Sequence, residues 1–324
     1  MPTIHQTTDL KTKLPDIVSI ARLAPSVHNT QPWKVSAEDS SIRVSLDAAH
    51  TLSDGDPTGR QTIISLGIFT EALIIAAASY GFTEEKVTFD GSSVTIALGE
   101  SQAASSVEKI VSLLRKRSSD RSLYQPVTID KEAVQTIEQA GEQFRVSVQV
   151  VQDQHIIDQI AHLTCKGIGL ALSNPSFRKE LSGYLVLPWS GKKRGIAVKS
   201  LYINPVVAVL EPLFMRLGIG ISKEVSLEEK RWLSASGVVV IIASGDLAQF
   251  WLAAGRAYLR ISLAIEDLGL AQATSAAIVE ASNYHEDVEQ LLHTNQRILS
   301  VIRIGRGSPK RYYSPRVNVH DLLT

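Results

Sequence analysis

Apolar residues recur at helical spacing at Leu14, Ile17, Val18, Ala21 and Leu23. This predicts an amphipathic helix over residues 14–24. It should stop before Pro25, because the residue ahead of a proline disfavours the helical region. Lys34 to Leu46 alternates weakly, as strands do. Next comes a run apolar on almost every side, including Ile63, Ile64, Leu66, Phe69, Leu73 and Ile75. Such a helix is buried. Asp56-Pro57 predicts its cap and first turn, and Gly81 its end. Asp90-Gly91 between Val87–Phe89 and Val94–Leu98 predicts a hairpin.

Further on, the pattern predicts helices over residues 107–115 and 128–140, a strand over Val146–Val151 and a helix over 155–172. Ser226-Leu227-Glu228-Glu229 reads as a capping box. Gly237–Ala243 is a β-branched run of the buried-strand kind. Asp246 is expected to cap a long helix ending at Gly269, followed by a short helix over 286–293 and a strand over 298–304. The span 155–230 is otherwise hard to read, and Ser190–Gly195 is loop-like. A faint repeat links Gly67…Gly81 to Gly255…Gly269, with Leu73/Ile261, Ile75/Leu263 and Ala76/Ala264 in register. Each helix precedes a strand ending in glycine, Gly99 and Gly305. Two related halves would bury these long helices against each other.

Composition narrows the function classes. The 324 residues are 44% hydrophobic and 20% charged, with 33 Lys+Arg against 33 Asp+Glu. A disordered chain is excluded, and the charge balance disfavours a generally basic nucleic-acid binder while leaving room for local basic clusters. A single cysteine, Cys165, offers neither an internal disulfide nor a thiolate metal site; an inert buried thiol is expected. The amino terminus lacks a signal pattern. The longest apolar stretch, Leu201–Ile221, is interrupted by Pro205, Glu211, Pro212 and Arg216. A cytoplasmic protein with no membrane or nucleic-acid partner is the expectation.

Common catalytic motifs are absent: no Gly-x-Gly-x-x-Gly after a strand, no Walker A loop, no His-Glu-x-x-His, no Gly-x-Ser-x-Gly. No metal-ligand spacing is found among the histidines. Two basic clusters remain, Lys109–Arg121 and Arg297–Arg316. Arg117-Ser118-Ser119-Asp120-Arg121 combines guanidinium forks with hydroxyl donors, a pattern that suits a phosphate; a solvated face is the alternative. Pro25-Ser26-Val27-His28-Asn29-Thr30-Gln31-Pro32-Trp33 is a loop stiffened by two prolines. Its amides and hydroxyl suit the edge of a heteroaromatic ring, and a capped turn anchored by Trp33 is the alternative. His28 either reaches the site or is an exposed loop residue.

The Pro25–Trp33 run resembles the Pro-Ser-x-x-Asn-x-Gln-Pro-Trp motif of the FMN-dependent nitroreductase superfamily. Arg117–Arg121 resembles that family's Arg-x-Ser-x-Arg/Lys motif, and Ser314-Pro315-Arg316 its carboxy-terminal arginine segment. Ordinary members carry the arginine motif ahead of the loop in one short subunit, and FMN lies at a dimer interface. Here the order is reversed, and the retained pieces are complementary. The chain is similar to the fused, pseudo-dimeric branch typified by mycobacterial Acg-type proteins, with one site kept.

The resemblance implies an α+β, nitroreductase-like fold. Two fused halves, 1–103 and 104–324, would form an intramolecular pseudo-dimer. A lid-like insertion is expected at about 155–230, with 175–220 as the lid. The implied cofactors are FMN and, as electron donor, NAD(P)H. Arg117, Ser119 and Arg316 would hold phosphate and ribityl chain, and Arg121 would stand near the pyrimidine edge. Pro25, Ser26 and Asn29 would contact the ring, with Gln31 and Trp33 supporting them and Gly269–Ala273 near the reactive edge. No side chain is assigned as catalytic and no metal is expected. The implied activity is NAD(P)H-dependent reduction of a small-molecule acceptor such as a nitro compound or quinone. FMN sequestration under a lid is the alternative; chemistry on the flavin itself and a flavin-free scaffold are remoter readings. A homodimer of such pseudo-dimers is compatible with the sequence.

Overall fold

The computed structural model describes residues 9–101 and 105–324. Up to residue 101 the elements are α1 (Leu10–Ala21), β1 (Trp33–Glu38), β2 (Ser41–Leu46), α2 (Arg60–Ala78), β3 (Phe82–Phe89) and β4 (Ser93–Glu100). From residue 105 come α3 (Ser105–Lys116), α4 (Lys131–Glu142), β5 (Ser147–Val151), α5 (Gln154–Ser173), α6 (Pro175–Gly183), β6 (Leu185–Val186) and β7 (Ile196–Ala197). Then follow α7 (Pro205–Leu217), α8 (Ile221–Leu233), β8 (Gly237–Ala243), α9 (Ala248–Asp267), β9 (Ala271–Thr274), α10 (Ala277–Glu280), α11 (Tyr284–Leu291), β10 (Arg297–Gly305) and α12 (Val319–Leu322).

The fold is α+β, with two four-stranded antiparallel sheets ordered β1-β2-β4-β3 and β5-β8-β10-β9. Both run first, second, fourth, third in chain order, and a long helix joins the second strand to the third in each (α2 and α9). β8 is buried along its whole length. Alternate residues supply two cores: Val239 and Ile241 face the main one, Val238, Val240 and Ile242 a second under α5 and α8. A pleated strand divides its side chains in this way.

α2 and α9 cross at the two repeat glycines. A Cβ on Gly67 would overlap the carbonyl oxygen of Leu252, and one on Gly255 the carbonyl oxygen of Ile64. Each glycine thus meets the residue three before the other, so the contact is reciprocal. α2 is long and apolar enough to cross a membrane, yet 17 of its 19 residues are buried here. It is the central core helix. Gly81 and Gly269, just past the two helix ends, both have positive φ, which glycine adopts without strain.

Several predicted boundaries move. α1 starts at Leu10 because the Asp9 carboxylate accepts from the amides of Lys11 and Thr12. α2 starts at Arg60 rather than Pro57, yet Asp56 still satisfies its first turn, accepting from Gln61 and Thr62. Ser226 is not a cap: α8 is already under way from Ile221. Asp246 does not cap α9 either, because Arg60, Arg297 and Trp251 Nε1 occupy its carboxylate. The unreadable span 155–230 is mostly helical. From Pro175 it forms a lobe whose small core of Leu185, Ile196, Val198, Ala208 and Met215 packs on Leu172 of α5.

Candidate functional site

A cavity of about 610 Å³ lies where the loop after α1, the loop after α3 and the Pro175–Gly220 lobe meet. Its walls include Pro25, Ser26 and Asn29 from the first loop, Arg117, Ser119 and Arg121 from the second, and Arg316 from the carboxy-terminal segment. All seven residues singled out from sequence share this one cavity. The Ile64 and Ile68 side of α2 and Tyr258 of α9 form an inner wall, while Phe177, Leu181 and Met215 of the lobe close another.

The Pro25–Trp33 loop holds a costly backbone shape. His28, Asn29 and Gln31 all have positive φ, between 44° and 54°, a region non-glycine residues seldom enter. The surroundings pin it there. Asn29 Nδ2 donates to the carbonyls of Gly195 (2.9 Å) and Pro315 (2.8 Å), and its Oδ1 accepts from Arg316 Nη1 (2.9 Å). Gln31 Nε2 donates to Lys193 O, while its Oε1 accepts from Val317 N. Ser26 Oγ accepts from Gln31 N at 2.9 Å, leaving its hydroxyl proton free to donate. Trp33 stacks on Phe69 at 4.2 Å between ring centroids. Gln31 and Trp33 therefore support the loop, as expected from sequence. Asn29 does so too: its amide is spent on neighbours, so a ligand would meet its backbone and edge.

The second loop is positioned by Asp120. Its carboxylate accepts from Ser122 N and Ser308 N, and its amide donates to Gln272 O. Arg303, fully buried, donates to Asp120 O and Ser122 O and lies 4.0 Å over the Tyr124 ring. This scaffold turns Arg117 inward. Arg117 is only 5% exposed, so it does not belong to a solvated face. Its Nε and Nη1 are buried without a hydrogen-bond partner, and among the described residues no carboxylate lies within ion-pair distance. Burial lowers its pKa. An uncompensated buried cation is expensive; here it faces a cavity with Ser118 and Ser119 beside it.

Arg316 is differently employed. Nη1 and Nη2 donate to Asn29 and to backbone carbonyls, including Leu23 O at 3.0 Å, and only Nε lacks a partner. Burial, with the charges of Arg117 and Arg22, pushes its pKa down to about 9. Arg121 is half-buried, with one weak contact to Ser200 Oγ at 3.5 Å, and burial lowers its pKa as well. The wall near the cavity's arginines is thus electropositive. On the lobe side, Glu224 is raised to about 7 by burial and then by Glu228, against the pull of Arg231. His28 lines the cavity rather than the outer surface, with Nδ1 unpartnered; burial, then Arg121, lowers it to about 4.

Other expectations fail. Gly269–Ala273 do not line the cavity; the wall is formed by Thr274–Ala277, which follow them at the end of β9. Most of the Arg297–Arg316 cluster is structural: Arg297 pairs Asp246 and Glu289, and Arg311 pairs Glu266. Sequence reasoning also missed Tyr258, Ser300 and Tyr312, which carry no motif, and Glu224, which sits in an ordinary helical pattern. Cys165 is buried and pushed up to about 12, as an inert thiol should be.

No family model matches the chain. The Mycobacterium tuberculosis protein named "Putative NAD(P)H nitroreductase acg" is 35% identical over 83 residues, 26% of this chain and 24% of that protein. A second M. tuberculosis protein of the same description is 35% identical over 66 residues, 20% of this chain and 19% of its own length. The match therefore spans about a quarter or less of these relatives. Among solved structures, the FMN-dependent nitroreductase NfnB from Mycobacterium smegmatis, in complex with NADPH, has 16% identity and a TM-score of 0.44, over 66% of this chain and 96% of that one. The FMN and NADPH-dependent nitroreductase NfnB from a Sphingopyxis strain gives 15% and 0.43, over 66% and 97%. Over the quarter of its length that aligns, the chain is a distant homologue of the Acg-type proteins of the nitroreductase family.

Proposed function

We propose that this cavity is a single FMN site between two fused nitroreductase-like halves, in an NAD(P)H-dependent oxidoreductase that reduces nitro, quinone or related acceptors. The observation that carries the reading is Arg117, a buried guanidinium on the wall of a ligand-sized cavity whose Nε and Nη1 have no hydrogen-bond partner. A phosphate would supply the missing charge and acceptors. Arg117 and Ser119 would hold it, with Arg316 fixing the Asn29 loop and adding positive field. Pro25, Ser26 and Asn29 present a rigid, pre-shaped wall for a planar ring. Arg121 would stabilise negative charge building on that ring. When bound, FMN supplies the hydride chemistry, and the protein contributes binding, orientation and electrostatics.

The matching strand order and the reciprocal glycine contact support the fusion. They also suggest where a second site was lost. Ile68, one residue after Gly67, lines the cavity. Arg256, one residue after Gly255, instead pairs Glu71 and Glu84 and lies over Phe144. The connection matching the Pro25–Trp33 loop, between α4 and β5, is a short turn. A filled wall and a missing loop leave one site.

The test is the visible absorbance spectrum of the protein after loading with FMN, then anaerobic addition of NADPH. Bound flavin that bleaches supports the reductase. Failure to bind FMN at all would remove the reading.

A second reading, FMN held under a closed lid with little turnover, is favoured by the lobe's anchors. Glu180 of α6 accepts from the amides of Ser53, Asp54 and Gly55 at 2.7–3.2 Å. Lys193, Arg194 and Gly195 bond to the Asn29–Gln31 stretch. Bleaching that is slow in the wild type and at least tenfold faster in Glu180→Ala would select this reading.

A further inference from the structure

We propose that the Pro175–Gly220 lobe docks on an anionic membrane surface through the outer face of α7. The face is apolar where a surface helix should be polar. Val206, Leu210, Leu213 and Leu217 recur at i, i+4, i+7 and i+11 and are 42–71% exposed; Val209 and Ile219 extend the stripe. The opposite side carries Ala208 and Met215, packed into the lobe's own core. α7 is therefore amphipathic in both directions, with a second apolar stripe that the fold does not use. Contiguous exposed apolar surface of this kind marks a contact site.

Charge identifies the occupant. The whole chain is neutral, but from residue 175 to 220 there are seven basic residues (Arg178, Lys179, Lys192, Lys193, Arg194, Lys199, Arg216) against two acids, Glu180 and Glu211. Seven basic residues against two acids leave an excess of five positive charges in this span. Glu180 is tied to the Ser53–Gly55 amides, and burial raises the pKa of Glu211. Lys179, Lys192, Lys193, Lys199 and Arg216 are exposed, and among the described residues none of them is in an ion pair. Trp189, 67% exposed, stands three residues before Lys192. An apolar stripe on α7, with exposed lysines and an exposed indole elsewhere in the same lobe, is the chemistry of a surface that lies in a headgroup layer, and the excess positive charge favours anionic lipid. α7 spans about 20 Å at 1.5 Å per residue, too short to cross a bilayer core of about 30 Å. The prolines and charges that argue against a span in the sequence do not argue against a surface helix. Met215, on the inner side of the same helix, lines the cavity, so docking would bring the lid of the cavity to the membrane. The inference stands whether or not that cavity takes FMN.

The test is co-sedimentation of the full chain with phosphatidylcholine vesicles, with and without one-third phosphatidylglycerol, alongside light scattering for mass. Binding confined to the phosphatidylglycerol vesicles, weakened by salt, is expected. It should fall about tenfold or more in Leu213→Asp/Leu217→Asp and in Lys192→Ala/Lys193→Ala. Both variants change exposed positions, and an unchanged melting temperature checks that they fold. Equal binding to both vesicle types would overturn the role of charge and with it the proposal. A wild-type dimer that the Asp variant converts to monomer, without vesicle binding, would assign the stripe to a second copy and overturn it. A monomer that ignores both vesicles would overturn it outright.

Discussion

Arg117 is buried with its Nε and Nη1 unpartnered. Its burial without an anion costs the unliganded chain stability, and its unpaired nitrogens are the reason the cavity should take a phosphate. Affinity and stability therefore oppose each other at this residue. Arg117→Met, which keeps the volume and removes the charge, should raise the stability of the FMN-free chain by about 1–2 kcal/mol. The same variant should weaken FMN binding at least tenfold, as expected when a charge-assisted hydrogen bond to phosphate is lost. Urea melts and fluorescence titration measure the two, and a variant that loses both stability and affinity would show a merely structural arginine. His28 adds a pH dependence. Burial lowers its pKa from 6.5 to about 4, so the folded chain keeps it neutral while the unfolded chain protonates it. Its contribution is complete above pH 6.5 and is lost as pH falls through 4. Glu224 runs the other way: raised from 4.5 to about 7, its contribution is complete below pH 4.5 and fades as pH rises through 7. Between pH 6.5 and 4 His28 should cost the FMN-free chain about 3 kcal/mol, set against a gain of similar size through Glu224. His28→Asn, a residue that tolerates left-handed backbone, should remove that loss, read from urea midpoints at the two pH values. Motif reading found the loop that holds His28 and Asn29, but not how they divide the work. The spending of Asn29 on Gly195, Pro315 and Arg316 depends on segments far away in the chain.

Elements show which signals in a sequence are physical and which are only suggestive. The hairpin at Asp90-Gly91, the buried strand Gly237–Ala243 and the ends at Gly81 and Gly269 were legible because local chemistry dictates them. Gly91 and both helix-terminal glycines indeed have positive φ. Asp246 and Ser226 misled because a capping side chain is also a good ion-pair partner or an ordinary helical residue, and only the packed fold decides. The lobe was illegible because α7 has apolar residues on both sides, which erases the usual period. The glycine pair is the clearest element-scale test. Gly255→Ala places a methyl against the Ile64 carbonyl, where backbone rather than a flexible side chain must move. A cost of about 2–4 kcal/mol is expected. Gly183→Ala meets nothing within 4 Å and should be neutral within about 0.5 kcal/mol. Equal denaturant midpoints for the two variants would mean that the α2–α9 contact is looser than its geometry.

At the scale of the whole molecule, the two sheets lie around a core whose centre is one helix from each part of the chain. α2 is buried nearly all round and α9 supplies Leu252, Leu259 and Ile261 to the same cluster. α2 has no polar face to turn to water if its partner is removed. The carboxy-terminal segment adds a strap: Leu323 bridges to Val35 beside β1, and Arg22 Nη1 donates to Val317 O. The same crossing carries Arg316 to the Asn29 loop, so one segment contributes to both the core and the cavity. This leads to an expectation for the chain divided between residues 103 and 104, the proposed boundary of the fused halves. Each piece expressed alone should aggregate, because it exposes the apolar surface of a central helix. Co-expressed, the pieces should associate and take up FMN, because the contacts that build the cavity are non-covalent. Co-purification, melting curves and flavin uptake measure this. A piece 1–103 that is monomeric and melts cooperatively by itself would show that the first half owns a complete core. In that case the reciprocal Gly67–Gly255 crossing would join two independent domains instead of organising one.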